Sequence, residues 1–187
     1  MTLDPSVVAA SIAALVATGG YLLAQRAARR ERKSRVYAEA LRALRDLESL
    51  PWTIWRRGDD SPEAVRQLGA LQSERFAAAH YYSQLLAIET PWIGEIYYQL
   101  QRRVRRQTSN NSRTAWLDSP RGTGPLWAAP SFLDDTAPEL RLCLQAMQAD
   151  VGWTGWWRRR GLLRRLRALA ASRPLPPWPD PGPPSGP

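Results

Sequence analysis

Apolar residues at the amino end run without a break. Residues 6–24 carry no charge over 19 positions, and at about 1.5 Å per residue a helix there is roughly 28 Å long, close to the hydrocarbon thickness of a bilayer. Asp4 followed by Pro5 is a helix start, a capping carboxylate and then proline at the first helical position. After this run the spacing turns helical and one-sided. Val36, Tyr37, Ala40, Leu41, Leu44 and Leu47 form one face, opposite Arg42, Arg45, Asp46 and Glu48. One helix from about Pro5 to Leu50 is expected, ended by Pro51.

Trp52, Ile54 and Trp55 follow as a short connector, and Ser61 with Pro62 then reads as N-cap and first residue of another helix. Val65, Leu68, Phe76, Ala79 and Leu86 make one stripe on it; Leu71, Ala78, Tyr82 and Leu85 make a second. Two stripes predict contacts on two sides, as for the inner helix of a bundle. Thr90 and Pro91 repeat the cap-then-proline signal before Trp92, Ile96, Leu100 and Val104, and Thr108, Ser109, Asn110, Asn111 and Ser112 end that pattern near Gln107. A long loop is expected over 108–135, with Trp116, Trp127 and Phe132 as candidate partner-binding residues. Thr136, Pro138 and Glu139 open another helix, with a stripe at Leu140, Leu144, Met147 and Val151. No repeat and no strand-length alternation is visible.

The expected fold is all-α: an N-terminal transmembrane helix continuing into a cytoplasmic bundle of three or four antiparallel helices, with a disordered proline-rich tail. The parts are an anchor at 1–25, a bundle at 26–151, a Trp/Arg-rich amphipathic segment at 152–173 and the tail at 174–187.

Charge sets the expected orientation. The net charge is +9, but residues 26–35 hold +5, residues 151–187 hold +6, and residues 36–150 hold −1. Arg26, Arg29, Arg30, Arg32, Lys33 and Arg35 directly follow the apolar run, so the positive-inside rule puts the carboxyl side in the cytoplasm and the amino terminus outside. With Tyr21 they are the expected membrane-interface residues. A cleaved secretory signal is the rival, but basic residues ahead of the run are missing, and Leu15 and Leu22 occupy the small-residue position before Ala17 and Ala24. A buried soluble helix is the third reading. Ala9, Ala13 and Ala17 share a face at four-residue spacing, which would let two such helices pair as a homodimer. Basic flanks around a nearly neutral middle fit anionic lipid of the inner leaflet better than nucleic acid, which is not expected as a partner.

Trp153, Trp156 and Trp157 run into Arg158, Arg159 and Arg160, and Leu162, Leu163, Leu166 and Leu169 share the next helical face. This composition suits a second membrane-interface contact and, equally, a last bundle helix with a solvated Arg face. The tail holds eight of the 16 prolines and should be extended. Within it, Arg173, Pro176 and Pro179 match the Arg-x-x-Pro-x-x-Pro ligands of SH3 domains, with Trp178 between the prolines. Pro176, Trp178 and Pro179 are therefore candidate partner contacts, against the plainer reading of an unstructured tail.

Candidate chemistry is sparse. His80 is the only histidine and Cys143 the only cysteine, so no disulfide forms and no Cys–His metal set exists. Cys143 reads as a small core residue and His80 as a packed or surface side chain. Gly122 and Gly124 lack the following lysine of a phosphate loop. Glu89 with Glu95 and Asp134 with Asp135 lack acid–base spacing without a pocket. Arg102, Arg103, Arg105 and Arg106 read as favourable charge at a helix C-terminus, or as a phosphate or headgroup site. No cofactor, metal or catalytic residue is expected, and an enzyme is not the preferred reading.

A membrane helix, an Arg-rich stop and then Arg-Val-Tyr-Ala-Glu-Ala-Leu at 35–41 resembles a loose group of small actinobacterial membrane-anchored helical proteins. The resemblance covers roughly residues 6–50. It implies no activity and transfers no site residue. The expected function is a single-pass, membrane-tethered interaction or regulatory module that binds a protein partner at the cytoplasmic face. The alternative is a holin- or toxin-like protein that perturbs the bilayer through the anchor and the Trp/Arg-rich helix.

Overall fold

The computed structural model describes the backbone of residues 5–117, 136–152 and 155–173, and side chains at 14–117, 136–152 and 157–173. Among the described residues the chain is all-helical: α1 Pro5–Glu48, α2 Leu50–Trp55, α3 Pro62–Glu89, α4 Pro91–Leu117, α5 Ala137–Val151 and α6 Gly155–Ser172. Two compact units divide at a point within α1, Met1–Tyr37 and Ala38–Pro187.

In the second unit, α1 ends where Ser49 N–H closes on the Arg45 carbonyl at 3.0 Å. Pro51 has no amide hydrogen to extend that ladder and instead sits in the first turn of α2. The expected connector at Trp52, Ile54 and Trp55 is thus helical. Ile54 and Trp55 are fully buried and join Leu50 and Ala115 in one cluster, with Trp52, Leu71, Phe76 and Trp116 packed around it. Trp52 meets Trp55 edge-on at 6.2 Å between ring centroids, a favoured aromatic geometry. Ser61 caps α3 as its type predicts, its Oγ accepting from Ala64 N–H at 3.2 Å, with Pro62 in the first turn.

Cross-helix contacts fix the directions. Asp46 and Glu39 of α1 meet Arg75 and Tyr82 of α3 in reverse order, so these helices are antiparallel. Ala40 and Leu47 accept from Tyr97 and Thr108 of α4 in the same order, so α1 and α4 run parallel. The α3–α4 hairpin turns on Thr90 alone. At its base Gly94 lies so close to α3 that a Cβ there would stand 2.6 Å from Ala87 Cα. The Thr136 hydroxyl donates to Glu48 Oε1 at 2.8 Å, tying the start of α5 to the end of α1 instead of capping its own helix.

The inner helix is α4, not α3. Helix α4 buries twelve residues, including Ile93, Ile96, Tyr97 and Leu100, and it contacts α2, α3, α5 and α6. Helix α3 buries only Ala79, Ser83 and Leu86. The stripe expected on α5 is also rotated. Leu142, Cys143, Ala146, Met147 and Ala149 face inward, while Leu144 is exposed.

Two further expectations change. Helix α4 continues through Thr108, Ser112 and Ala115 to Leu117, so residues 108–117 of the expected loop are helical, and its remainder, 118–135, lies outside the described residues. Among the described residues no helix is long and apolar enough to cross a membrane. The anchor expected at 1–25 has no support from the described part of α1, whose side chains begin at Ala14, eight residues into the uncharged run.

Candidate functional site

In the first unit, α1 changes character along its length. Leu15, Val16, Leu22 and Leu23 are exposed, at 74% for Leu15 and 64% for Leu23, and Tyr21 is exposed beside them. Arg26, Arg29, Arg30, Arg32 and Arg35 follow on the same helix, all exposed, with Lys33 half-buried. Arg35 reaches back one turn to Glu31 at 3.3 Å, a solvent-exposed pair that adds little to stability. Apolar side chains left open next to a dense basic run are the unsatisfied feature of this unit.

In the second unit, two guanidiniums are buried among the described residues, and each organises a junction. Arg57 follows α2. Its Nη1 donates to the carbonyls of Ala115 at 2.7 Å and Ile54 at 3.2 Å, and its Nη2 donates to that of Trp116 at 3.2 Å. Its Nε pairs with Asp60, and its plane lies 4.9 Å from the Trp116 ring. The last carbonyls of α4, which a helix C-terminus leaves without partners, are thereby satisfied from the segment that follows α2. Trp116, expected as a loop contact for a partner, instead packs half-buried on the protein's own core.

Arg103 is the second. Its Nε lies 2.7 Å from Glu139 Oε1, and the two side chains are only 6% and 7% exposed. Glu139 Oε2 receives Arg173 Nη1 at 3.2 Å, and Arg103 also donates to the Arg173 carbonyl. Three elements meet here: the middle of α4, the first turn of α5 and the residue that follows α6. A buried carboxylate with two guanidiniums compensates its own desolvation, whereas one lone charge would not. The four-arginine run is not a helix C-terminus, because α4 continues past it. Arg102 lies over Tyr98 at 5.7 Å and Arg105 over Phe76 at 5.5 Å. Gln99, Arg102, Arg103, Glu139, Leu166, Leu169, Ala170 and Arg173 enclose a groove of about 240 Å³.

Helix α6 packs as a last bundle helix with an exposed Arg face. Leu162 and Leu166 are buried, and the helix contacts α5 and α4, so its apolar face belongs to the bundle. Arg158, Arg159, Arg160, Arg164, Arg165 and Arg167 are exposed, and Trp157 is 79% exposed. Trp153, Trp127, Phe132, Pro176, Trp178 and Pro179 lie outside the described residues, as do Asp134 and Asp135. Of Trp156 only the helical backbone is described.

Cys143 is buried and its thiol is pushed up to about 12 by burial. Burial also raises the Tyr97 hydroxyl above the usual phenol range, and that hydroxyl donates to the Ala40 carbonyl at 2.9 Å. Burial, then the Glu39 carboxylate that accepts its proton, raises Tyr82. His80 is exposed on α3. Among the described residues no group of three His, Cys, Asp or Glu could hold a metal ion. No protein-family model, curated protein or solved structure matches the chain.

Proposed function

We propose that the chain is a single-pass, membrane-tethered interaction module whose helical bundle binds a protein partner at the cytoplasmic face. The observation that carries this reading is the exposed apolar stretch of α1 at Leu15, Val16, Leu22 and Leu23, joined to a basic run at 26–35. In water such a surface is costly, and lipid would cover it. The uncharged residues 6–24 supply Val7, Val8, Ile12, Leu15, Val16, Leu22 and Leu23. At about 0.3–0.6 kcal/mol each, these favour insertion by roughly 3 kcal/mol. Arginines at the far end resist translocation and face anionic headgroups. The partner-binding part of the reading rests on the large apolar residues Leu126, Trp127, Phe132 and Leu133 and on the proline-rich tail.

The membrane-perturbing alternative requires the apolar face of α6 to enter lipid. Leu162 and Leu166 are committed to α5 and α4 instead, which disfavours it.

Topology reporters test the proposal. With a reporter fused after Pro187, green fluorescent protein should fluoresce and alkaline phosphatase should stay inactive, with the membrane potential unchanged on expression. Active phosphatase would reverse the orientation and remove the cytoplasmic module. Rapid depolarisation would favour the alternative.

A further inference from the structure

Helix α6 turns outward a face different from the one it packs. Trp157, Arg160, Arg164, Arg167 and Ala171 follow one another at intervals of three and four residues, so they share one side of the helix. That side lies opposite the buried Leu162 and Leu166. All five residues are exposed, Trp157 at 79%. Arg35 and Arg66, exposed on α1 and α3, each have a carboxylate one turn away, Glu31 and Glu63. Residues 151–173 contain no Asp or Glu, so no acid on α6 can balance its arginines in this way. Residues 36–150 together hold −1, so positive charge in the bundle is concentrated on α6 instead of spread as on a nucleic-acid-binding domain.

We propose that this face of α6 lies on an anionic phospholipid surface, with its three guanidiniums on lipid phosphates and the Trp157 indole at headgroup depth. A guanidinium fork matches phosphate geometry. Indole rings favour the membrane–water interface, and the aliphatic stems of arginine cover apolar surface while their charge stays with the headgroups. From Trp157 to Arg167 the row is about 15 Å long. It runs along one convex helix face, so it meets a planar array of phosphates along its whole length. Leu162 and Leu166 stay in the bundle, so the contact does not require the helix to enter the hydrocarbon. It rests on the tether proposed for α1, which keeps the bundle near a bilayer and raises the effective concentration of headgroups around α6.

The test uses the full chain with Ala171→Cys carrying a nitrobenzoxadiazole fluorophore; Cys143 is buried and stays unmodified in the folded protein. The protein is reconstituted in vesicles of phosphatidylcholine, alone or with phosphatidylglycerol, each containing a headgroup spin-labelled lipid as quencher. Quenching is expected with phosphatidylglycerol and not with phosphatidylcholine alone. An arginine near an anionic surface is worth about a factor of five. Combining Arg160→Gln, Arg164→Gln and Arg167→Gln should therefore shift the contact roughly a hundredfold and return quenching to the phosphatidylcholine level. Combining Arg56→Gln, Arg66→Gln and Arg141→Gln removes the same charge elsewhere on the bundle and should change nothing. Equal losses in the two triple variants mean general charge attraction and overturn the proposal, as does equal quenching in the two lipids. A stronger response of the label to a DNA oligonucleotide than to phosphatidylglycerol assigns the face to nucleic acid and overturns it too. Flotation with phosphatidylcholine vesicles reads the tether separately. Protein that does not float loses the tether and the contact with it, whereas protein that floats without quenching loses the α6 contact alone.

Discussion

The α3–α4 hairpin makes a sharp demand on one residue. A Cβ added at Gly94 would stand 2.6 Å from Ala87 Cα, 2.7 Å from Ala87 N and 3.0 Å from the Leu86 carbonyl carbon. Carbon atoms in contact prefer about 3.5–4.0 Å, so α3 and α4 must separate by roughly 1 Å at their base. The obstructing atoms are backbone, and the single-residue turn at Thr90 leaves little slack. Overpacking of this kind costs about 1–3 kcal/mol, against at most about 1 kcal/mol gained from replacing helical glycine with alanine. A net loss of about 1–2 kcal/mol is expected for Gly94→Ala. At about 2–4 °C per kcal/mol for a domain of this size, its Tm should fall by roughly 2–8 °C. Gly69, in the middle of α3, has nothing within 4 Å of a built Cβ, so Gly69→Ala should raise stability by about 0.5–1 kcal/mol. Thermal unfolding of the full chain in mild detergent, followed by circular dichroism, reads both variants. If Gly94→Ala is as stable as the parent, or if both variants shift the same way, the close crossing of α3 and α4 is wrong.

Removing Glu139 strands Arg103 in the interior, so Glu139→Ala should cost about 3–5 kcal/mol in denaturant titration, whereas replacing an exposed carboxylate such as Glu63 should cost under about 0.5 kcal/mol. Tyr97→Phe removes the donor to the Ala40 carbonyl and should cost about 1 kcal/mol by the same titration. The Cys143 thiol should resist iodoacetamide in the folded protein at pH 8 and react fully in denaturant, as read by mass spectrometry. Its folded pKa of about 12 exceeds the unfolded value of about 8.5. Its contribution to stability is therefore complete below the unfolded value and lost as pH rises from there to the folded value, and Cys143→Ser should flatten that alkaline slope.

Local signals located much of the fold. Ser61 with Pro62 opened α3 where capping chemistry placed it, and Pro51 closed α1 within two residues of the expected end. What escaped the sequence was long-range. Thr108–Ser112 reads as a helix stop on polarity, yet Thr108 and Ser112 are buried, Thr108 donates to Leu47, and Arg57 supplies the missing donors to Ala115 and Trp116 from far away in the chain. The same disguise hid the inner helix. Gln101, Arg103, Thr108 and Ser112 make α4 look solvated, although its partners lie on other elements. On α5 the leucines outweighed Ala146 and Ala149, which sit inward because small side chains permit close packing, beside Cys143, which is buried as its reading as a small core residue anticipates. Of the groove, the arginine run was legible as a charge cluster, although α4 continues past the helix C-terminus expected there. Its partners Glu139 and Arg173 were not, since nothing local joins residues 36 and 70 positions away from Arg103.

Whether residues 6–24 lie in lipid is decided most directly by an alkaline carbonate wash of membranes carrying the full chain. The protein should stay in the pellet. Leu15→Arg, which adds about 2.5–3.5 kcal/mol near the centre of the run against a drive of roughly 3 kcal/mol, should release a large fraction of it. Full-length protein washed into the supernatant, or retention unaffected by Leu15→Arg, would contradict the tether.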